Sequence, residues 1–171
     1  MTERSLKDNL IVNLSKDFEV LEEVWGYHPI YETRLRIDIL LRAKPHLIAE
    51  GFTNEWFGVE CKWVEGANGQ TSKTNRLVWQ SITYAQSTFE VQGESVRPRF
   101  VAVFTPDRLE PSIERHLAAL LGVGLYGCVG KLYFYRDGSW GIKFASIYGR
   151  SSPEGYYIKQ NQLPKLRAGS V

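Results

Sequence analysis

The chain has little cysteine, and what it has sits in apolar patterns. Only Cys61 and Cys128 occur in 171 residues. They make no disulfide framework, and the pattern predicts reduced thiols in a cytoplasmic protein. The three histidines do not cluster, so there is no zinc spacing and no Ser-His-Asp context. A glycine-rich phosphate loop is missing as well. No apolar run approaches the ~20 residues of a membrane span, and Met1-Thr2-Glu3-Arg4 lacks the apolar core of a secretion signal. Nor does one sign of charge dominate: 21 Lys and Arg against 19 Asp and Glu give a net charge of +2. That balance does not announce nucleic-acid binding, although a basic groove around an acidic site fits within it.

What is present organises itself around residues 34–64. The length suits one domain with a sizeable core. Arg34-Leu35-Arg36-Ile37-Asp38-Ile39-Leu40-Leu41 and Trp56-Phe57-Gly58-Val59-Glu60-Cys61-Lys62-Trp63 each read as a strand with one face in a core. Strict alternation puts Leu35, Ile37, Ile39 and Leu41 on one face of the first, with Arg36, Asp38 and Leu40 on the other. In the second it sets Phe57, Val59, Cys61 and Trp63 against Gly58, Glu60 and Lys62. Glu60 and Lys62 then point the same way, about 7 Å apart. If the strands are neighbours, Asp38 joins them. Two carboxylates brought together repel, and their burial is costly unless a cation neutralises them. Mg²⁺ takes one or two carboxylates together with waters and phosphate oxygens, and a lysine beside it can hold a phosphate or orient a water. That is the chemistry of metal-assisted phosphodiester hydrolysis. The same three residues also fit a cross-strand salt bridge on a solvated sheet face. Cys61 alternates onto the core face and reads as a packed thiol rather than a nucleophile.

The remaining elements are read from periodicity. Residues 2–14 form a helix capped by Thr2, with Leu6, Leu10 and Leu14 on one stripe. Glu3 lies on that stripe, either facing the metal site or sitting as a first-turn acid favoured by the helix dipole. Phe18–Trp25 is a strand in which Phe18, Val20 and Val24 share a face and Glu22 breaks the pattern; Gly26-Tyr27-His28-Pro29 is a loop. Residues 46–55 fit a strand or a helical turn. Residues 65–75 are polar and glycine-rich, a connection whose Lys73, with Arg76 beyond, can touch a phosphate backbone. Residues 76–90 read as a helix with Val78, Ile82, Ala85 and Phe89 on one stripe and Gln80 and Tyr84 four apart away from it. Phe100–Phe104 is a buried strand of parallel type. Residues 111–121 form a helix that Gly122 stops, and a short strand lies near 125–129. Lys131–Arg136 and Ser139–Ala145 form an aromatic hairpin about Asp137-Gly138. From Ser151 an irregular tail carries Lys159, Lys165 and Arg167.

The order helix, strand, strand with Asp38, strand with Glu60-Cys61-Lys62, helix with Gln80-Ser81-Ile82-Thr83-Tyr84, strand, helix, strand resembles the PD-(D/E)XK nuclease superfamily. The Gln-x-x-x-Tyr helix is similar to that of its RecB-type branch. The resemblance covers roughly residues 3–130. Ile37 stands where the name-giving proline would be. It implies an α/β (α+β) domain over residues 1–150, a central mixed β-sheet flanked by helices in the restriction-endonuclease-like manner, with the hairpin added outside the core and a tail at 151–171. It implies that Asp38, Glu60 and the Cys61 carbonyl oxygen hold one or two Mg²⁺ or Mn²⁺ ions, and that Glu3 matches the acid some members carry on the first helix. Lys62 would position the attacking water and stabilise the pentacovalent phosphorus. Gln80 would steady the site, and Tyr84 would pack or stack near DNA, with Lys73, Arg76 and Arg36 as further candidate nucleic-acid contacts. The expected activity is a magnesium-dependent deoxyribonuclease acting on DNA, with a possible homodimer contact through the aromatic hairpin. A catalytically silent nucleic-acid-binding or assembly protein on the same scaffold is the alternative.

Overall fold

A computed structural model describes residues 2–64, 70–106, 109–123, 129–136, 138–145 and 151–158. Helix α1 (Glu3–Leu14) begins at Thr2, whose side chain caps the Ser5 N–H while Ser5 returns a bond to the Thr2 N–H. Its leucine stripe is fully buried. Strands β1 (Phe18–His28) and β2 (Thr33–Ala43) pair antiparallel along their whole length. The short α2 (Pro45–Ala49) starts on proline, which needs no N–H there. Strand β3 (Phe57–Cys61) returns antiparallel to β2. Helix α3 (Gln70–Gln86) leads to a hairpin of β4 (Thr88–Val91) and β5 (Glu94–Val96) on the far edge beside β1. Strand β6 (Val101–Phe104) lies parallel to β3. Helix α4 (Pro111–Val123) then connects to β7 (Val129–Phe134), parallel to β6, and β8 (Trp140–Ala145) and β9 (Ser151–Ile158) complete the edge. Among the described residues nine strands form one mixed sheet in the order β5-β4-β1-β2-β3-β6-β7-β8-β9. The chain is therefore a mixed α and β fold with a central sheet flanked by helices.

Two apolar layers enclose the sheet. On the α1 side, Leu6, Leu10 and Leu14 pack with Ile39, Leu41, Val59 and Cys61 and with a group of rings. Phe18 meets Phe52, Phe57 and Trp140 with ring centres 5.0–5.6 Å apart, and Phe57 stacks on Phe100 at 4.6 Å. On the other side, Leu77, Val78, Tyr84, Leu117 and Leu121 of α3 and α4 cover Ile37, Leu40, Val101 and Val103. Each large side chain buried this way contributes roughly 1.5–3 kcal/mol.

Several expectations need correction. Helix α3 spans Gln70–Gln86, so the polar connection is helical from 70, while Phe89 belongs to β4 and not to a helical stripe. The turn of the β4–β5 hairpin has positive φ at both Gln92 (52°) and Gly93 (86°), the geometry that suits the right-handed twist of paired strands. Gly26, Tyr27 and His28 continue β1, and α4 runs through Gly122 to Val123. The Lys131–Ala145 hairpin is part of the core, since Leu132, Trp140, Ile142 and Phe144 are buried. The segment expected to be an irregular tail begins as strand β9. Of the strand expected near 125–129 only Val129 is described, and it opens β7; residues 125–128, the hairpin residue Asp137 and the tail cations Lys159, Lys165 and Arg167 lie outside the described residues.

The strict alternation of β2 also fails. Ile37 packs on the α3 and α4 side, whereas Ile39 packs on the α1 side. On β1, Val24 joins the α3 side, opposite Phe18 and Val20. The break on β1 falls at Glu23, whose φ is +53°. The pairs Glu22↔Ile39 and Val24↔Ile37 leave Glu23 facing Asp38, so the two strands change phase together at this pair.

Candidate active site where two strands part

Asp38 lies where β2 and β3 stop pairing. The last ladder pair on this side is Ile39↔Val59. Beyond it the Cys61 N–H donates to Asp38 Oδ2 at 2.9 Å. The Asp38 carboxyl thus takes a backbone donor from the segment that carries Glu60, and the two carboxyls lie close enough to act on each other electrostatically. Glu60 is 5% exposed. Burial, then the charge of Asp38, raises its pKa to about 9, with Lys62 acting in the opposite direction. At neutral pH Glu60 therefore keeps its proton beside Asp38. Asp38 is itself raised, first by burial; the Cys61 N–H and Lys7 oppose that shift, while Glu23 and Glu3 add to it. The Cys61 thiol is buried and pushed well up by burial and then by Asp38 and Glu60, which suits a packed thiol and not a nucleophile.

Lysines approach from two directions. Lys62 Nζ lies 3.3 Å from Glu3 Oε1 and 3.2 Å from Oε2, and the Trp63 N–H donates to Glu3 Oε2 at 3.2 Å. Glu3 is thereby tied to the site rather than left as a free first-turn acid. Lys7, one turn further along α1, pairs with Glu23 and lies 3.6 Å from Glu22. Its burial alone would lower its pKa, but Glu23, Asp38 and Glu22 together raise it. Sequence reasoning did not single out Lys7. Its position four residues after Glu3, on the same face of an amphipathic helix, is the signal that could have found it. Glu3, Lys7, Glu22, Glu23, Asp38 and Cys61 line a polar cleft of about 430 Å³ with Arg4 and Asp8.

Helix α3 approaches the acids from the other face of the sheet. Tyr84 lies near Gln80, and the pKa of its phenol is raised first by burial and then by the charges of Glu60 and Asp38. Tyr84 is 7% exposed and its ring packs edge-on against Phe89 at 6.2 Å, so it offers the site an edge and little surface for stacking. Arg76 reaches Tyr84 electrostatically, and also borders a larger apolar groove between α3 and α4, lined by Val78, Trp79, Ile82 and Leu120. That groove carries no acid pair. Lys73 is half-buried in the first turns of α3. Arg36 sits two residues from Asp38, its Nε 2.8 Å from Glu23 Oε2.

Two buried oxygens here, Glu60 Oε2 and Gln80 Oε1, have no hydrogen-bond partner. Buried acceptors are normally satisfied, so both suit an added water or cation. Among the described residues no three or more His, Cys, Asp or Glu side chains are grouped to hold a metal by themselves. Two carboxyls and a carbonyl oxygen form a donor set for a hard ion that keeps several waters, as Mg²⁺ does. No helix among the described residues is long and apolar enough to cross a membrane. Comparison of the chain with protein-family models, with curated proteins and with solved structures finds no match.

Proposed function

We propose that the protein is a metal-dependent nuclease that hydrolyses phosphodiester bonds of DNA, with Asp38 and Glu60 at its centre. The observation that carries this reading is the pair of neighbouring carboxyls, Asp38 held by the Cys61 N–H and Glu60 buried, together with the unpartnered buried oxygens Glu60 Oε2 and Gln80 Oε1. Asp38, Glu60 and the Cys61 carbonyl oxygen would hold Mg²⁺ or Mn²⁺. Such an ion, when bound, lowers the pKa of a water and neutralises charge on a phosphate. Lys62, released from Glu3, would place its ammonium against the phosphate or the water. Gln80 would accept a hydrogen bond from that water and fix its orientation. The sequence of elements, an antiparallel meander of β1, β2 and β3 followed by a helix and a strand parallel to β3, supports the restriction-endonuclease-like reading and membership of the PD-(D/E)XK group.

A nucleic-acid-binding protein without catalysis is the second reading. It is favoured by one observation, the Lys62 ammonium engaged by Glu3. Incubation of duplex, single-stranded and branched DNA with Mg²⁺ or Mn²⁺, followed by electrophoresis, separates the two. The nuclease reading expects shortened products from the wild type and none from Asp38→Ala or Glu60→Ala, both still folded. Wild-type cleavage by either variant overturns it. Binding without product from any of these substrates favours the second reading.

A further inference from the structure

The outer half of the β1–β2 ladder carries an aromatic and basic surface that the proposed chemistry does not use. Trp25 pairs with Arg36 and Tyr27 with Arg34 across the strands. The Arg34 and Arg36 guanidiniums lie 5.0 and 5.6 Å from the centre of the Trp25 ring, which puts these side chains on one sheet face. Their neighbours Val24 and Leu35 pack into the α3 and α4 core behind them. On the front, the α1 layer covers Phe18, Ile39 and Leu41 and leaves this end open: Trp25 is 49% exposed and Tyr27 45%. Beyond them Tyr31, 54% exposed, stacks on the buried His28 ring at 4.4 Å. Asp38 lies two residues inward from Arg36 on the same strand, where β2 changes phase.

We infer that this ladder is a stacking platform for an unpaired stretch of DNA, which it leads to Asp38; the inference rests on the nuclease reading above. Rings interleaved with guanidiniums match the two faces of a single strand, bases that stack and phosphates that carry charge. Bases inside a duplex already stack on one another, so exposed rings gain their partners only from unpaired nucleotides. Cation–π contact with Trp25 holds the guanidiniums ready as planar donors to phosphate. Arg36 shares its charge with Glu23 at 2.8 Å, and Glu90 borders the far margin. Arg34 has no ion pair among the described residues and is the principal phosphate contact.

The test is fluorescence anisotropy of a labelled single-stranded DNA oligonucleotide at low salt with a chelator, so that binding is read without cleavage. Blunt duplex DNA and single-stranded RNA of the same sequence serve as competitors. Wild type is expected to prefer single-stranded DNA. Trp25→Ala should weaken that binding roughly 5- to 100-fold, the range for one lost base stack, and leave duplex binding unchanged. Trp25→Phe, which keeps a ring, should retain most of it. Arg34→Gln should reduce the salt dependence by about one phosphate contact. Unchanged single-strand affinity in Trp25→Ala, or tighter binding of duplex or RNA by the wild type, overturns the inference. The two readings fail separately. Loss of binding in Trp25→Ala from a wild type that cuts nothing keeps the platform and removes the nuclease. Cleavage of single strands at wild-type rate by Trp25→Ala does the reverse.

Discussion

Cys61 donates its backbone N–H to Asp38 Oδ2 at 2.9 Å. A side chain here takes the place of a ladder carbonyl, so β2 and β3 separate without leaving a buried donor unpaired. The separation is what admits a second carboxyl, that of Glu60, to the same spot.

Lys62 and Glu3 should act as a pair. Lys62→Ala is expected to lower turnover about 100-fold, in the range for removal of one positioned electrostatic group, with Mg²⁺ affinity nearly unchanged by calorimetric titration. Loss of Mg²⁺ affinity instead would contradict its assigned role. Glu3→Gln removes the charge that engages the ammonium, and single-turnover cleavage by this variant should be at least as fast as wild type.

The stability of the metal-free protein should fall as pH rises from about 4.5 to about 9. Glu60 has an ordinary value of 4.5 and a folded one of about 9. Within that window the folded state holds a proton that the unfolded chain has released, so rising pH favours unfolding. The contribution is complete below the unfolded value and gone above the folded one. Thermal melts in a chelator should show this slope, and Glu60→Gln should flatten it. Saturating Mg²⁺ should oppose it, because bound cation favours the ionised carboxyls.

Gly26→Ala should destabilise the fold by about 1–3 kcal/mol, the cost of overpacking a filled position. A Cβ at Gly26 would stand 2.4 Å from the Thr88 carbonyl oxygen and 2.6 Å from the Phe89 ring. Backbone cannot rotate away, so β4 must shift from β1. A lowered denaturation midpoint is the readout, and an unchanged one would mean that β4 packs less closely than described.

Trp140→Ala should cost about 3–5 kcal/mol and expose how firmly the C-terminal strands belong to the core. Trp140 is fully buried, its ring beside Phe18 and Phe52. Its Nε1–H donates to the buried Asp17 at 2.9 Å. Trp140→Phe should recover most of the packing but still lose that donor, at about 1–3 kcal/mol. Equilibrium unfolding in denaturant measures both.

The closeness of Asp38 and Glu60 was legible from a guess at neighbouring strands, and alternation held on β3, where Phe57, Val59 and Cys61 share one layer. On β2 it did not hold, because Ile37 and Ile39 fall in opposite layers. The phase change at Glu23 was not legible, since positive φ at a glutamate leaves no mark in the sequence; only the misfit of Glu22 hinted at it. The β4–β5 hairpin was hidden because Phe89 continues the helical spacing of Val78, Ile82 and Ala85. The Gln92-Gly93 turn, flanked by Phe89, Val91 and Val96, was the competing signal. Strand β9 was missed because its Ser, Pro and Gly content reads as a loop, and pairing to β8 overrides that composition. Lys7 went unnoticed because a lysine on an amphipathic helix looks solvated until the cleft beneath it is known.

The opening turn of α1 forms part of the wall beside Asp38, through Glu3 and Lys7. A purification tag joined directly ahead of Thr2 would therefore lay foreign charge at the mouth of the cleft, and a run of histidines would bring its own metal ligands to it. Material intended for metal titration is better freed of such a tag before use.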